Sequence, residues 1–401
     1  MTPQPLAGIR VLDFCWMIAG PLTTRLLADL GAEVIKVESM ARVDRIREVG
    51  VQPPVPQAET NGVFNDCNVN KKSILLNLNH DRGIQLAKAL VARSDIVTSN
   101  FTPDRMDRWG LGYKDLKLVR PDIIVASMPV MGTEGPRSSW RAVGNGVIAM
   151  AGLNAHTGFE GRPPVGLGTL HSDFTSPYLG ALQIVAAVHH RNRTGEGQFI
   201  ELAQYEATVH LLDTELLECL VNGREPGRRG NSSQQYAPHG VYRCSRDDRW
   251  IAIAVRDAAE WQSFCRVMGL ETLAGRVELS TLEGRKKAAP EIDAAIETRT
   301  MPADAWQLAD ALQASGIPAS PVENVGDLVG RDSMHQGFIE EIQHPAGVSM
   351  LLQHEPINWN GERLPLERAP FLGEHSDEVF RGLLGLDTDE LAEFAAEGVL
   401  S

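Results

Sequence analysis

The chain has 401 residues, which corresponds to about two or three domains. Hydrophobic residues make up 43% of the sequence and charged residues 22%, a balance that is typical of globular proteins and excludes a disordered, collagen-like or coiled-coil chain. Because 52 Asp and Glu outnumber 38 Lys and Arg, the formal net charge is −14. This charge disfavours nucleic acid as a partner, although a few local cations can still bind a small anion.

The cysteines, the histidines and the N-terminal residues bear on the cellular compartment and on metal binding. The five cysteines form no CxxC pair, and their odd number is typical of a reducing compartment rather than of a disulfide scaffold. The eleven histidines show no metal-ligand spacing such as HExxH, so no metal is expected. No signal peptide is expected, because residues 1–5 do not lead from a basic region into a long apolar run, and the most apolar segment, residues 178–188, is too short to span a bilayer. We therefore predict a cytoplasmic protein that does not bind membranes.

Strands and helices alternate over the first 130 residues. The predicted strands are residues 9–14, 33–37, 73–78, 95–98 and 122–127, and the predicted helices are 21–30 and 81–93. Pro21 suits a first helical turn, and Gly31 suits the position after a helix end. This order predicts an α/β fold in which helices cover both faces of a parallel sheet.

The turn after the first strand indicates which cofactors the protein is unsuited to bind. It reads Ala19-Gly20-Pro21 and lacks the GxGxxG fingerprint, which disfavours a nicotinamide or flavin cofactor. A ligand is nevertheless expected near the carboxyl ends of the parallel strands, where the loops converge.

The composition changes after residue 221. Before it, residues 177–190 and 205–221 are predicted helices on either side of a strand at 198–202. The segment 222–231 is rich in Gly, Arg and Asn and is typical of a linker. Beyond it, residues 241–244 and 250–255 are predicted antiparallel strands that precede several helices. We predict a large domain over residues 1–225, a smaller α+β domain over 226–325, and a segment 326–401 that returns to the large domain.

Asp173 is the first candidate for chemistry, because it stands immediately before the predicted helix 177–190. A carboxylate at this position can cap the helix, and sequence physics alone favours that interpretation. It can also act as a nucleophile or base at a helix mouth. His171 lies beside it, but neighbours in sequence are no evidence for a catalytic triad.

Arg105 and Arg108 form a second candidate site after the strand at 95–98. Two arginines on a short helix can bind a phosphate through both guanidinium groups. Taken alone, a solvated face on which they pair with Asp104 and Asp107 is the better interpretation.

Several motifs along the chain point to a known family. They comprise residues 5–13, Ala19-Gly20-Pro21 and residues 26–38, followed by residues 71–73, 100–113, 193–198, 316–319 and 372–379. In their order and spacing, these segments resemble the class III CoA-transferases over residues 5–400. That family also contains carnitine CoA-transferase, formyl-CoA transferase and α-methylacyl-CoA racemase.

The resemblance implies a fold and a set of site residues. The implied fold is a Rossmann-like large domain with a smaller α+β domain, in an interlocked homodimer. Asp173 matches the family's invariant nucleophile, which forms an acyl-aspartyl anhydride and then an aspartyl-CoA thioester. The turn that contains His239 and Gly240 would bind substrate and stabilise oxyanions. Residues that would contact coenzyme A are Trp16, Met17, Ala19, Leu76, Asn100, Phe101, Arg108 and, near the phosphates, Arg141.

The chain also departs from the family pattern. Ser39 stands where formyl-CoA transferase-like members carry an arginine, and Arg42 or Arg45 is a possible substitute. The segment 143–146 has no acidic residue, and the glycine-rich lid is reduced to residues 237–240. These departures weaken formate or oxalate as the substrate. The racemase branch has a histidine at about Val143, and its absence counts against racemisation.

The leading hypothesis is therefore a transferase that moves CoA from an acyl-CoA to a carboxylic acid. The family resemblance implies succinyl-CoA as the donor. An aromatic or branched succinate, a hydroxydicarboxylate and carnitine remain open as acceptors. The alternatives are an acyl-CoA racemase or isomerase of the same fold, and a CoA-binding subunit that needs a homologous partner.

Overall fold

The computed structural model describes residues 4–48, 57–332 and 337–401. The described residues within 1–153, 166–224 and 336–401 form one compact unit. Those within 154–165 and 225–335 form a second unit. The structure thus groups residues 154–165 with the second unit, and the domain boundaries drawn from the sequence stay a prediction.

The first unit contains a six-stranded parallel sheet in the order β3-β2-β1-β4-β5-β6. This confirms the predicted fold class. The strand order reverses between β1 and β4, and such a switch point is where open α/β sheets bind ligands. The strands are β1 (Arg10–Asp13), β2 (Glu33–Glu38), β3 (Lys72–Leu75), β4 (Ile96–Ser99), β5 (Ile124–Ser127) and β6 (Phe199–Glu201).

Eleven helices lie in the described residues up to Asn222, of which α8 crosses the boundary between the two units. In chain order they are α1 (Ala19–Asp29), α2 (Gln57–Thr60), α3 (Gly62–Asn68), α4 (Asp81–Val91), α5 (Asp104–Arg108), α6 (Tyr113–Val119), α7 (Gly144–Met150), α8 (Leu153–His156), α9 (His171–Thr194), α10 (Gln204–Val209) and α11 (Asp213–Asn222). Short 3-10 turns occur at Arg45–Arg47 and His210–Leu212.

Strands β1, β2, β4 and β5 are buried on both faces because their side chains alternate between two apolar cores. Val11 packs in the core that includes Leu27 of α1 and Ile184 of α9, whereas its neighbour Leu12 packs in the core that includes Leu90 of α4. The same alternation recurs in β2, β4 and β5, with Val34, Ile96 and Ile124 on the first face and Ile35, Val97 and Val125 on the second.

The second unit has a three-stranded antiparallel sheet, in the order β7-β8-β9, packed on an apolar core that includes Trp261 and Phe264. The predicted antiparallel pair is therefore present. Its elements are β7 (His239–Arg243), β8 (Trp250–Ala254), α12 (Ala258–Met268), α13 (Glu271–Ala274), α14 (Leu282–Lys287), α15 (Ala289–Thr300), α16 (Ala305–Ala314), β9 (Ala319–Pro321) and α17 (Val325–Gly330), with a 3-10 turn at Val277–Ser280.

The chain then returns to the first unit. An antiparallel hairpin comes first, followed by two helices, of which α18 contacts β3 and α4. These elements are β10 (Ile339–His344), β11 (Val348–Gln353), α18 (Ser376–Leu384) and α19 (Thr388–Ala396).

Two predicted helices are present, but one begins earlier than predicted and the other is interrupted. The helix predicted over 177–190 begins at His171, so Asp173 lies in its first turn rather than before it, and Pro177 lies inside the helix. The first turn is polar, and hydrophobic periodicity therefore does not reveal it. The helix predicted over 205–221 is divided into α10 and α11 by the 3-10 turn at His210–Leu212.

Candidate active site

A cavity of about 730 Å³ lies in the first unit, at the carboxyl ends of the parallel strands. Each of the first five strands delivers residues to its wall. They are Phe14, Trp16 and Met17 after β1, Ser39 after β2, Leu76 after β3, Asn100 and Phe101 after β4, and Pro129 and Val130 after β5. The cavity therefore lies at the carboxyl ends of the strands, where a ligand was predicted from the sequence, and it includes the switch point between β1 and β4.

Most of the residues predicted to contact CoA line this cavity. They are Trp16, Met17, Leu76, Asn100, Phe101 and Arg141. Ala19 and Arg108 are not among its described lining residues. Ala19 is the first residue of α1, and the Arg108 side chain is exposed and ion-paired with Asp104. Arg105 lines the cavity in place of Arg108, so the roles of Ala19 and Arg108 stay a prediction.

Two side chains from neighbouring loops, Asn100 and Asp44, hold the loop after β1 through hydrogen bonds. Asn100 accepts a hydrogen bond from the Trp16 amide at 2.9 Å and donates one to the Trp16 carbonyl at 2.7 Å. Asp44 accepts from the Met17 amide at 2.9 Å, and the buried ammonium of Lys36 donates to the other oxygen of Asp44, also at 2.9 Å. Met17 has a φ of +67°, a left-handed conformation that a non-glycine residue keeps only when its surroundings enforce it.

The cavity wall combines aromatic rings with guanidinium groups. Trp16 and Phe101 make an edge contact at 5.2 Å, and Phe101 makes another with Trp109 at 5.8 Å. The guanidinium of Arg42 lies 5.4 Å from the ring centre of Trp16, and Arg105 lies 5.3 Å from that of Trp109. Such a wall can accept a planar base together with phosphate groups.

Ser39, which stands where formyl-CoA transferase-like members carry an arginine, lies beside several arginines of this chain. Its neighbour Glu38 accepts two hydrogen bonds from the buried Arg47, at 2.9 and 2.8 Å. Ser39 itself lines the cavity, as do Arg42 and Arg45. Both arginines considered as substitutes for the missing arginine therefore have access to a ligand in this cavity.

The carboxylate of Asp173 is half-buried against α7 and α10. Its Oδ1 atom accepts a hydrogen bond from the side-chain amide of Gln204, the first residue of α10. Its Oδ2 atom lies against Gly144, where an added Cβ would be 2.6 Å away. The apolar Leu170 is the N-cap of α9, and within the described residues no first-turn amide donates to Asp173. Asp173 is therefore oriented by its neighbours rather than used as a helix cap.

Burial controls the ionisation of Asp173. Desolvation raises the pKa of this carboxyl above its ordinary value, and the hydrogen bond from Gln204 lowers it in part. The charged form is thus poorly solvated but still supported by one donor. A carboxylate in this state can act as a nucleophile.

Asp173 adjoins the cavity through the segment 142–144. Ala142 and Val143 line the cavity, and the next residue, Gly144, contacts the Asp173 carboxylate. Neither Gln204 nor the close approach of Gly144 was predicted from the sequence. The glycine-rich segment 143–146 was an available signal for the close approach at Gly144.

His239 and Gly240 begin β7 in the second unit. His239 Nδ1 lies 2.6 Å from the carbonyl oxygen of Asn231, and its ring stacks on Tyr236. A Cβ at Gly240 would lie 2.9 Å from the Tyr242 ring, so a side chain here requires Tyr242 to move. The predicted role of both residues in substrate binding stays a prediction.

Neither a membrane-spanning helix nor a metal-ligand cluster is found among the described residues. In residues 4–48, 57–332 and 337–401, no helix has both the length and the apolar character needed to cross a membrane. In the same ranges, no group of three His, Cys, Asp or Glu side chains converges to hold a metal ion.

Comparison with known proteins identifies the family. The model of CoA-transferase family III matches residues 6–376. The chain is 31% identical to succinyl-CoA–D-citramalate CoA-transferase of Chloroflexus aurantiacus, over 99% of this chain and 98% of that protein. It is 30% identical to formyl-CoA:oxalate CoA-transferase of Streptomyces coelicolor, over the full length of both proteins.

A solved structure shows the same fold. The crystal structure of a CAIB/BAIF family protein from Brucella suis matches with a TM-score of 0.87 and 29% identity, covering 95% of this chain and all of that chain. The chain therefore belongs to CoA-transferase family III, which confirms the predicted resemblance. It is an enzyme of the CoA-transferase class.

Proposed function

We propose that the protein transfers CoA from succinyl-CoA to an acceptor carboxylic acid, with Asp173 as the covalent nucleophile. The observation that carries this proposal is the half-buried Asp173 carboxylate, oriented by Gln204 and Gly144 directly behind the wall of the switch-point cavity. The cavity would hold CoA, and the carboxylate would receive the acyl group.

The reaction proceeds through two anhydrides and one thioester. An oxygen of Asp173 attacks the acyl-CoA carbonyl, the carbon–sulfur bond breaks, and an anhydride and the CoA thiolate form. The thiolate attacks Cγ of Asp173 and releases the donor carboxylate, which leaves an aspartyl-CoA thioester. The acceptor carboxylate then attacks Cγ and releases the thiolate. The thiolate finally attacks the acceptor carbonyl, which yields the product acyl-CoA and restores Asp173.

The surroundings of Asp173 suit this sequence. Each step exchanges one activated carbonyl for another, so the covalent route divides the transfer into steps of comparable energy. Its anhydrides hydrolyse in water, and the burial that raises the pKa of Asp173 also limits the access of water to Cγ.

The CoA moiety would bind along the aromatic and guanidinium wall. Stacking on Trp16 and Phe101 would hold its base, and the cavity arginines would pair with its phosphates. The proposed contacts are the cavity residues that were predicted from the sequence, with three arginines added from the cavity. They are Trp16, Met17, Leu76, Asn100, Phe101 and Arg141, with Arg42, Arg45 and Arg105. Ala19 and Arg108 are outside the described lining and stay predictions of the family resemblance.

The choice of succinyl-CoA as donor follows the Chloroflexus relative, whose name specifies succinyl-CoA and D-citramalate. The Streptomyces relative acts on formyl-CoA and oxalate, according to its name. Ser39 and the non-acidic segment 143–146 depart from the pattern of formyl-CoA transferases, so we favour the succinyl-CoA donor.

We also propose that two chains form an interlocked homodimer. Exposed apolar side chains on two helices of the first unit support this proposal, since burying them would favour association. They are Phe174, Tyr178, Leu179 and Leu182 on α9, and Leu216, Leu217, Leu220 and Val221 on α11.

Mass spectrometry after chemical trapping tests the nucleophile. The protein is incubated with succinyl-CoA, quenched with hydroxylamine or borohydride and digested, and the expected modification lies at Asp173. Asp173→Asn should abolish both the modification and turnover. Asp377→Asn, which changes an exposed carboxylate on α18, serves as the matched control and should retain both. An unmodified Asp173, together with full turnover of Asp173→Asn, would refute the proposal.

A panel of carboxylic acids then identifies the acceptor. An aromatic or branched succinate, a hydroxydicarboxylate and carnitine are each offered with succinyl-CoA, and the new CoA thioester is measured. Deuterium exchange from solvent into the acyl α-carbon, without CoA transfer, would indicate a racemase or isomerase instead.

A further inference from the structure

Gln204 holds one particular oxygen of the proposed nucleophile. Its side chain is buried, and its amide nitrogen donates to Oδ1 of Asp173. The direction of this bond follows from chemistry, because an ionised carboxylate can only accept. Backbone hydrogen bonds fix the position of Gln204. Its main-chain N–H donates to the Pro129 carbonyl at 3.2 Å, and its main-chain carbonyl accepts from Thr208 Oγ1 at 2.7 Å.

The two oxygens of Asp173 are therefore not equivalent. Within the residues that the structure describes, Gln204 provides the only side-chain hydrogen bond to this carboxylate, and that bond goes to Oδ1. The other oxygen, Oδ2, lies against the main chain at Gly144. The segment that ends at Gly144 lines the cavity through Ala142 and Val143. Oδ2 is thus the oxygen on the side of the segment that forms the cavity wall.

We propose that Gln204 is a second catalytic residue, whose amide stabilises the oxyanion that develops on Oδ1 whenever Cγ of Asp173 is attacked. This inference rests on the proposed function. It assigns Oδ2 as the attacking oxygen and Oδ1 as the oxygen that stays on Cγ throughout.

The atom balance of each step supports this division. Oδ2 bonds to the acyl carbon and the thiolate leaves. When the thiolate attacks Cγ, electrons move onto Oδ1, the Cγ–Oδ2 bond breaks, and Oδ2 departs within the donor carboxylate. When the acceptor carboxylate attacks Cγ, electrons again move onto Oδ1 and the thiolate leaves. In the last step, the thiolate attacks the acceptor carbonyl, and the acceptor oxygen stays on Cγ as part of the regenerated carboxylate.

Gln204 thus contributes to two of the four steps. In both attacks on Cγ, the negative charge grows on the atom to which its amide already donates. In the other two steps, the charge grows on the substrate carbonyl, which Gln204 does not contact in this arrangement. Removing one such oxyanion donor slows the affected step about 100- to 1000-fold.

Gln204→Met tests the inference, because methionine keeps the length and volume of the side chain but cannot donate. A rapid acid quench after mixing with succinyl-CoA, followed by mass spectrometry of the intact protein, measures how fast the CoA adduct forms on Asp173. We expect this rate to fall about 100-fold or more. The matched control is Gln262→Met, which makes the same exchange at an exposed glutamine of α12 whose side chain donates to the Ala274 carbonyl, and it should form the adduct at the wild-type rate.

The pH dependence provides a second readout that a purely structural role would not change. The bond from Gln204 lowers the pKa of Asp173, so Gln204→Met should move the acid limb of the kcat/KM profile to higher pH. An unchanged adduct rate in Gln204→Met, or an equal loss in Gln262→Met, would overturn the inference. Absence of any CoA adduct in the wild-type protein would instead refute the proposed function itself.

Discussion

The side chain of Asn100 pairs with both backbone polar groups of Trp16. Its carbonyl oxygen accepts from the Trp16 amide at 2.9 Å, and its amide donates to the Trp16 carbonyl at 2.7 Å. The two residues follow β1 and β4, the strands between which the sheet order reverses. This pair therefore connects the two loops at the switch point, where the Trp16 ring makes its edge contact with Phe101, the residue after Asn100.

Asn100→Leu should weaken both the fold and CoA binding. Leucine has a similar volume but leaves the Trp16 amide and carbonyl without their partner, which costs about 2 kcal/mol of unfolding free energy. Because the Trp16 ring would no longer be held at the cavity wall, we also expect the Kd for CoA to rise about tenfold, which corresponds to about 1.4 kcal/mol. Urea unfolding and calorimetric titration measure the two effects. Asn222→Leu, an exposed position on α11, is the control, and an unchanged CoA affinity in Asn100→Leu would contradict the expectation.

Gly144→Ala should impair catalysis. The new Cβ would lie 2.6 Å from Asp173 Oδ2 and 3.0 Å from the Leu170 Cβ, so the carboxylate has to move. A misplacement of about 1 Å at a reacting group can cost about 100-fold in rate. We expect kcat to fall by about that factor while the Kd for CoA stays within about twofold, since the cavity wall is retained.

Gly146→Ala is the matched control for this substitution. Its Cβ would lie 3.4 Å from the Ala142 Cβ, an ordinary contact, and it occupies the same short helix α7. Alanine favours a helix by up to about 1 kcal/mol relative to glycine, so Gly146→Ala should retain activity and melt no lower than the wild type. Similar kcat values for the two variants would show that Gly144 does not position Asp173.

Much of the fold could be predicted from the sequence, because the parallel strands are buried on both faces and appear as short apolar runs. Gly31 illustrates how local chemistry marks a boundary, since it follows α1 with a φ of +94° as a residue after a helix end should. The strand ends then indicated the ligand position, and Trp16 and Asn100 do line the cavity there. These features depend on the local sequence, so the periodicity of apolar residues and the turn residues are enough to predict them.

The remaining features depend on contacts between distant segments. Gln204 meets Asp173 across 31 positions, and nothing in its own surroundings distinguishes it from a solvated glutamine. The choice between Arg105 and Arg108 depends on how a short helix is rotated about its axis, which the motif does not specify. The polar first turn of α9 likewise carries no apolar periodicity, although it contains Asp173.

Glu355 should make the stability of the protein depend on pH. It lies 3.9 Å from the guanidinium of Arg25, which also pairs with Asp29 and Asp66, so three carboxylates share one cation. Burial, and then the negative charge of Asp29, raise the pKa of Glu355 to about 7. Because the folded-state pKa exceeds the unfolded value, the protonated form stabilises the fold at low pH. That stability is lost as the pH rises from the unfolded pKa through about 7.

Glu355→Gln removes this titration. At pH 8.5 the variant should be more stable than the wild type by on the order of 2 kcal/mol, and at pH 4 the difference should vanish. Urea unfolding at both pH values measures the difference. Glu340→Gln, which changes an exposed carboxylate of the hairpin β10–β11, should show no comparable change between the two pH values. Equal stability of Glu355→Gln and the wild type at pH 8.5 would contradict the assignment.

Arg105 and Arg108 should differ in their contribution to CoA binding, although they lie on the same short helix. Arg105 lines the cavity beside Trp109, whereas the Arg108 side chain is 67% exposed and pairs with Asp104. A hydrogen bond to a charged group contributes about 1.5–3 kcal/mol, so Arg105→Ala should raise the Kd for CoA about 10- to 100-fold. An exposed ion pair contributes less than about 1 kcal/mol, so Arg108→Ala should change the Kd no more than a few-fold.

Titration calorimetry on both variants, at low and at high salt, decides between the two arginines. The difference in Kd between Arg105→Ala and the wild type should shrink at high salt. Salt screens the charge pairing between Arg105 and CoA, which only the wild type makes. Loss of affinity in Arg108→Ala alone would show that the helix turns its other arginine toward the ligand when CoA is bound. The phosphate contact would then belong to Arg108, as the family resemblance implies.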